Sequence, residues 1–336
     1  MQKRLQVSSS PHLFDNSTTR RIMLDVCIAL APAGLAGIFF FGMRALALIV
    51  TAVLSAVLSE WAYQKATRQR VTTGDFSAVV TGLLVAYNLP ANAPAWIAIA
   101  GSAIAIVLVK QLFGGVGSNF INPALAARAI LFVSFAAIMS SYPNPAMNAL
   151  VNQVDTVASA TPLAAMAKDS LPKLLGVVQN ASEEVTILPA MTPLFDLFIG
   201  NVPGVLGETS KAAILLGGLY LLLRRVIDWR IPFTFIGTAF LCYLIKDGAQ
   251  IALYEILSGG LFLGAFFMAT DYATSPITNA GKIVMGIGCG FLLFVIRSFA
   301  AYPEGCSFAI LFMNVATPLI DKMTLPRSFG EVRRNG

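Results

Sequence analysis

The chain has 336 residues, 57% of them hydrophobic and only 12% charged, with a mean hydropathy of +0.74. That balance cannot cover a water-exposed surface, so it excludes an ordinary soluble domain and points to an integral membrane protein of helices, whose backbone groups are satisfied internally. The formal charge of +6 comes from basic residues scattered at the ends of apolar runs, which excludes a nucleic-acid-binding face, and one histidine with four separated cysteines excludes an iron–sulfur or zinc site made by this chain alone.

In chain order, a polar segment, Met1 to Arg21, precedes an apolar run with no small-residue cleavage site after it, which reads as a retained helix. The apolar runs predict helices over Ile22–Phe40, Ala45–Tyr63, Phe76–Leu89, Ala95–Phe113 and Ala124–Ser140. A polar loop, Ser141 to Glu208, follows. A second set runs Ala212–Leu223, Phe233–Ile245, Tyr254–Ala269, Ile283–Ile296 and Ser307–Ile320. The organisation is therefore a cytoplasmic segment 1–21, a five-helix repeat 22–140, an extracytoplasmic loop 141–208, a second five-helix repeat 209–321 and a cytoplasmic tail 322–336.

The third and eighth segments are short for a bilayer and glycine-punctuated, at Thr81-Gly82-Leu83-Leu84 and Ser258-Gly259-Gly260-Leu261. A weaker echo links Gly117-Ser118-Asn119-Phe120 with Gly305-Cys306-Ser307-Phe308. Interrupted segments at matching places are the pattern of inverted repeats that build a site near the midplane. The fold class expected is thus an all-α membrane protein of about ten helices in two inverted repeats.

Charge bias sets the orientation. With the N-terminus inside, the cytoplasmic face takes Lys3, Arg4, Arg20, Arg21, Lys65, Arg68, Arg70, Arg224, Arg225, Arg230, Lys282, Lys322, Arg327, Arg333 and Arg334. The other face keeps Arg44, Lys168, Lys173, Lys211, Lys246 and Arg297. Both termini are therefore expected in the cytoplasm.

Ionisable residues within or near the ends of apolar segments, Asp25, Glu60, Lys110, Arg128 and Glu255, are the natural functional candidates, because an unpaired charge costs about 2.5–3.5 kcal/mol in hydrocarbon. Asp25, Glu60 and Lys110 lie near helix ends, where interfacial snorkelling explains them as well as function does. Arg128 lies deeper, after Asn122-Pro123-Ala124, and suits either a structural pair or a place near an anionic or redox group. Asp75 or Thr73 is positioned to cap the third helix, and Ala269-Thr270-Asp271 to Thr278 leaves the eighth through a run of hydroxyl and carboxyl groups. Both can line a polar site on the cytoplasmic side, or be ordinary capped ends. In the outer loop, Asp155 to Leu163 offers an accessible hydroxyl near a carboxylate, which by spacing alone means little.

Through Thr73-Gly74-Asp75 to Leu89-Pro90, Gly114-Gly115-Val116-Gly117 to Asn122-Pro123-Ala124, and Ala269-Thr270-Asp271 to Ser275-Pro276, almost the whole chain resembles the D-type membrane subunits of the Rnf electron-transport complexes and, more distantly, the B-type membrane subunits of the sodium-pumping NADH:quinone reductases. Those families carry FMN joined by a phosphoester to a threonine in an Asp-x-x-Ser/Thr-Gly-Ala-Thr motif. Laid on this sequence, the resemblance makes Asp155 the acidic start, Ala160 the residue before the site and Thr161 the flavin-bearing residue, with Ala158 and Ser159 departing from the hydroxyl residue and the glycine. It further implies a noncovalent riboflavin near the short helices, with Asp75, Asn122 and Asp271 as contacts. The implied setting is the bacterial cytoplasmic membrane, in a complex that moves electrons between ferredoxin and NAD coupled to sodium or proton movement. Its partners are the complex's other membrane and peripheral subunits, a second covalent-FMN subunit among them, and a flavin transferase. The expected inverted repeat is also like that of urea channels, which leaves a transporter or channel for a small polar solute or ion as the competing class and a purely structural role as a third.

Overall fold

The computed structural model describes residues 18–143, 145, 158–159, 161–165, 193–299 and 305–325. Two long helices open the chain, α1 (Thr19–Phe41) and α2 (Met43–Ala66), joined at Gly42, whose φ of 71° suits a residue without a Cβ. The Thr18 hydroxyl caps α1 by accepting from the Arg21 N–H at 3.3 Å. Next come α3 (Ser77–Tyr87), α4 (Ala95–Ala103), which continues as a π-helix over Ile104–Gln111, and α5 (Pro123–Ser134). Asn122 starts α5 by accepting from the Ala124 and Leu125 N–H groups, and Pro123 sits where its missing N–H costs nothing.

The second half holds α6 (Leu194–Ile199), α7 (Lys211–Leu223), α8 (Arg230–Asp247), α9 (Ala249–Leu257), α10 (Leu261–Leu263, running into a π-helix over Gly264–Met268), α11 (Asn279–Phe299) and α12 (Cys306–Thr324). The helices pack as α2 on α3 and α4, α8 on α9 and α11, α11 on α12, and α1 on α7. One apolar core runs through both sets, from Leu30 and Leu48 to Phe235, Leu261 and Leu293. By length and apolarity α1, α2, α11 and α12 can each cross a membrane, and α9 with Leu261–Met268 forms a bent pair that is either a fifth, broken span or a re-entrant loop.

Four expectations need correction. The segment Tyr254–Ala269 is not one helix: it breaks at Ser258–Gly260 and bends by 66°, with Gly259 at φ 68°. The segment Ala124–Ser140 stops at Ser134, because Phe135 leaves helical geometry, and a single turn follows over Ala136–Met139. The fourth segment changes from α to π, which apolar composition does not reveal. Finally, the end of the stretch read as a polar loop belongs to the core. Leu206 and Gly207 donate their N–H groups to Leu89 and Tyr87 carbonyls at 3.1 and 3.0 Å, and Val202, Val205 and Leu206 are buried.

Candidate functional site

Two cavities lie toward opposite ends of α1. The first, of about 360 Å³, is lined by Met23 and Val26 of α1, and the second by Glu208, two residues beyond the Leu206 backbone that touches α1 at Gly37. At 1.5 Å per residue, that separation is about 16–21 Å along the helix.

The larger cavity has apolar walls from Met23, Leu84, Phe266 and Phe267, and a polar side from Ser77, Lys110, Asn119, Asn122 and Asp271. Lys110 stands at the end of the π-helix, its Nζ 2.7 Å from Glu60 Oε1 and 2.7 Å from Ser77 Oγ. The Ser77 hydroxyl donates to Asp75 Oδ1 at 2.6 Å and the same oxygen accepts the Ser77 N–H, but the residue before α3 is Phe76 in left-handed geometry, so Asp75 holds the first residue of α3 without being its N-cap. Gln111 donates to Glu60 Oε1 at 2.7 Å, while Glu60 Oε2 finds no partner among the described residues. Glu60 is 0% exposed and Lys110 3%, so these two are a buried pair and not snorkelling side chains. Asp25 is held likewise, by Arg224 at 3.0 Å and the Tyr220 hydroxyl at 2.9 Å.

At the cavity rim, Asn122 caps α5 with its Oδ1 and donates its amide to the Met268 carbonyl at 3.2 Å. The flanking loop carries positive φ at Gly114, Gly115 and Gly117, which lets the backbone turn beside the cavity. Asp271 follows the second π-helix. Burial pushes its carboxyl up, against the pull of the Ala273 N–H, the Thr274 hydroxyl and the Asn119 amide.

From this cavity a polar thread leads inward. Asn88 places its amide 3.9 Å from Met268 Sδ, and Arg128 Nη1 donates to Asn88 Oδ1 at 2.7 Å. Arg128 thus belongs to the middle of the molecule. Its guanidinium also approaches Gly260, where the second cavity begins.

That second cavity holds about 10 Å³, room for one water-sized group, and is lined by Thr161, Leu163, Glu208, Thr209, Lys211, Ser258 and Gly259 among others. Thr161 is only 5% exposed, so the accessible hydroxyl expected from the sequence is a buried one. Lys211, 1% exposed, donates to the Glu208 carbonyl at 2.6 Å. Arg297 donates to the Glu255 and Ser258 carbonyls at 2.7 and 3.1 Å and stands 3.4 Å from the Glu255 carboxylate. Lys211 and Arg297, assigned from the sequence only to the non-cytoplasmic face, are therefore enclosed side chains with protein partners. Ser159 lies in a two-residue strand, its partner strand Tyr142–Pro143. Asp155 and Ala160 lie outside the described residues.

Sequence reasoning missed Glu208, Thr209, Lys211, Ser258 and Arg297. The only signal was a lysine opening one apolar helix and an arginine in the last turn of another; both pass for end-of-helix charges. The four cysteines are free thiols, Cys289 and Cys306 buried and Cys27 and Cys242 partly exposed, and the described residues contain no cluster suited to a metal ion.

Residues 6–330 match the model of the NQR2, RnfD, RnfE family. Among similar proteins, the D subunit of the Na(+)-translocating ferredoxin:NAD(+) oxidoreductase complex of Acetobacterium woodii is 47% identical, over 97% of this chain and 95% of that protein. The D subunit of the proton-translocating ferredoxin:NAD(+) oxidoreductase complex of Clostridium ljungdahlii is 39% identical, over 97% and 96%. The D subunit of the ion-translocating oxidoreductase complex of Escherichia coli O81 is 34% identical, over 97% and 98%.

Proposed function

Because the chain belongs to the NQR2, RnfD, RnfE family, we propose that it is the flavin-carrying membrane subunit of a ferredoxin:NAD oxidoreductase complex coupled to sodium or proton translocation, with FMN joined to Thr161. The observation that carries this reading is the company Thr161 keeps. It lines a cavity beside Lys211 and Ser258, with Arg297 and Arg128 close behind the glycine break. A phosphoester brings negative charge, and among the described residues the three cations here outnumber the carboxylates of Glu208 and Glu255.

When bound, the flavin supplies the electron-transfer chemistry. The residues supply the rest. Thr161 is a tether, and the small cavity leaves the ring outside it. The larger cavity suits a second, noncovalent flavin such as riboflavin: its volume lies within the ordinary range for small-molecule sites, and its mix of apolar walls and a few convergent polar groups fits a flat heteroaromatic ring. There Phe266 and Phe267 exclude water, Asn119 and Asn122 offer amides, and Lys110 holds a positive charge against the wall. Asp75 acts one bond away, by fixing Ser77. The ten helical segments α1 to α5, α7, α8, the bent α9–α10 pair, α11 and α12 support two inverted repeats, with breaks and π-turns gathered at the cavities. The reading also takes the chain to sit in the bacterial cytoplasmic membrane with both termini inside.

The test is Thr161→Val in the assembled complex. The variant is expected to lose this chain's fluorescent flavin band after denaturing electrophoresis, and ferredoxin-driven NAD reduction with it. A fluorescent band that persists in the variant contradicts the reading. So does solute flux through the flavin-free protein in liposomes, which belongs to a channel.

A further inference from the structure

We propose that the small outer cavity is a phosphodiester seat, formed by Thr209, Ser258 and Lys211 from the second half of the chain, which buries one non-bridging oxygen of the ester carried by Thr161. This rests on the covalent-flavin reading and adds to it the residues that hold the link.

Three independent features converge. The first is hydroxyl groups with nothing to do. Thr209 Oγ1 and Ser258 Oγ are both fully enclosed, on residues 2% and 0% exposed, both line the cavity, and neither has a partner among the described residues. A buried hydroxyl without a hydrogen bond costs about 1–3 kcal/mol, so two at one cavity call for a ligand. Glu208 Oε2 lines the same cavity and also lacks a hydrogen-bond partner among the described residues, so an accepting oxygen belongs on the Thr209, Ser258 and Lys211 side, away from that carboxylate oxygen.

The second is charge. Among the described residues, Arg128, Lys211 and Arg297 face Glu208 and Glu255 here, which leaves one formal positive charge in a buried setting. Among the described residues, Lys246 and Asp247 act on Glu255 from nearby but pair with each other at 3.2 Å and do not change the balance. A phosphodiester has one ionised oxygen and carries one negative charge. It cancels the excess, where a carboxamide or an alcohol would not.

The third is room. The cavity admits about one water-sized group, which is the size of a single phosphoryl oxygen and excludes the flavin ring or its ribityl chain. The glycine break provides that room. A Cβ on Gly259 would stand 2.8 Å from Arg297 Nη2, and one on Gly260 2.7 Å from Glu208 Oε2, so side chains at either position would displace the charged groups around the seat.

The seat therefore takes the anionic oxygen between the Thr209 and Ser258 hydroxyls, with Lys211 as the near cation. Two consequences follow: the ester is shielded from water, and the flavin is fixed at its phosphate end while the ring remains available to neighbouring carriers.

Phosphorus-31 NMR reads this directly, because riboflavin contains no phosphorus. The full chain, made with its flavin transferase and purified in a phosphorus-free detergent, is titrated with an aqueous gadolinium chelate. The wild-type diester resonance is expected to resist broadening. In Thr209→Val/Ser258→Ala it is expected to broaden several-fold more, while Thr209→Ser, which keeps the hydroxyl, stays protected. Should the double variant not fold, Ser258→Ala alone is expected to lose part of the protection. A wild-type resonance broadened as readily as that of the unfolded chain overturns the seat and leaves the covalent flavin intact, as does equal protection in the variants. Absence of any protein-bound diester resonance overturns both.

Discussion

Glu60 illustrates what a buried charge demands. Fully enclosed, it depends on Lys110 and Gln111, which reach it from a helix some fifty residues on. Removing one partner of such a pair strands the other, at about 3–5 kcal/mol, whereas replacing both is far milder. Lys110→Met is thus expected to lose about that much stability in denaturant titration, and Lys110→Met/Glu60→Leu to recover most of it. A single variant within about 1 kcal/mol of wild type contradicts the pairing. Asp228, between α7 and α8, gives a pH signature instead. Burial pushes its carboxyl up, but the Arg230 N–H and the Lys282 ammonium, 3.0 Å away, more than offset this, so it titrates below the usual 3.8. A lowered carboxylate stabilises the fold above the unfolded value and loses that contribution as pH falls through the folded one. Thermal scans below about pH 4 should show wild type losing stability more steeply than Asp228→Asn, and parallel curves would contradict it. At this scale the sequence marked Asp25, Glu60, Lys110, Arg128 and Glu255 as unusual. It did not supply their partners, because each lies on a different helix.

Helix contacts are set by where the chain has no side chain. On α7, a Cβ at Gly217 would run into the Ala29 carbonyl oxygen of α1, and backbone on both sides leaves little to yield. Gly237 in α8 has nothing within 4 Å of the same position. Gly217→Ala is expected to lower the thermal midpoint by the cost of overpacking, about 1–3 kcal/mol or more. Gly237→Ala should be neutral or gain up to about 1 kcal/mol from helix propensity. Equal effects would mean that α1 and α7 do not meet as described. Element boundaries were legible where chemistry marks them, as at Asn122-Pro123, and the glycine break of the eighth segment was visible as punctuation. Its 66° bend and the two π-turns were not, since an apolar run reads the same whichever carbonyl each N–H finds.

For the whole molecule, composition alone revealed the membrane class, because so few charged residues cannot clothe a soluble surface. The packing of 202–208 against α1 and α3 was hidden within a stretch that averages as polar, and with it the setting of Thr161: a buried residue beside Lys211, not a hydroxyl in an open loop. That setting and the family together support the reading of an electron carrier held to its flavin by a covalent link. The most direct measurement is peptide mass analysis across Asp155–Leu163 in protein purified from its native host with the rest of the complex. The account predicts an addition the size of FMN, localised to Thr161. An unmodified Thr161 in that material would contradict it.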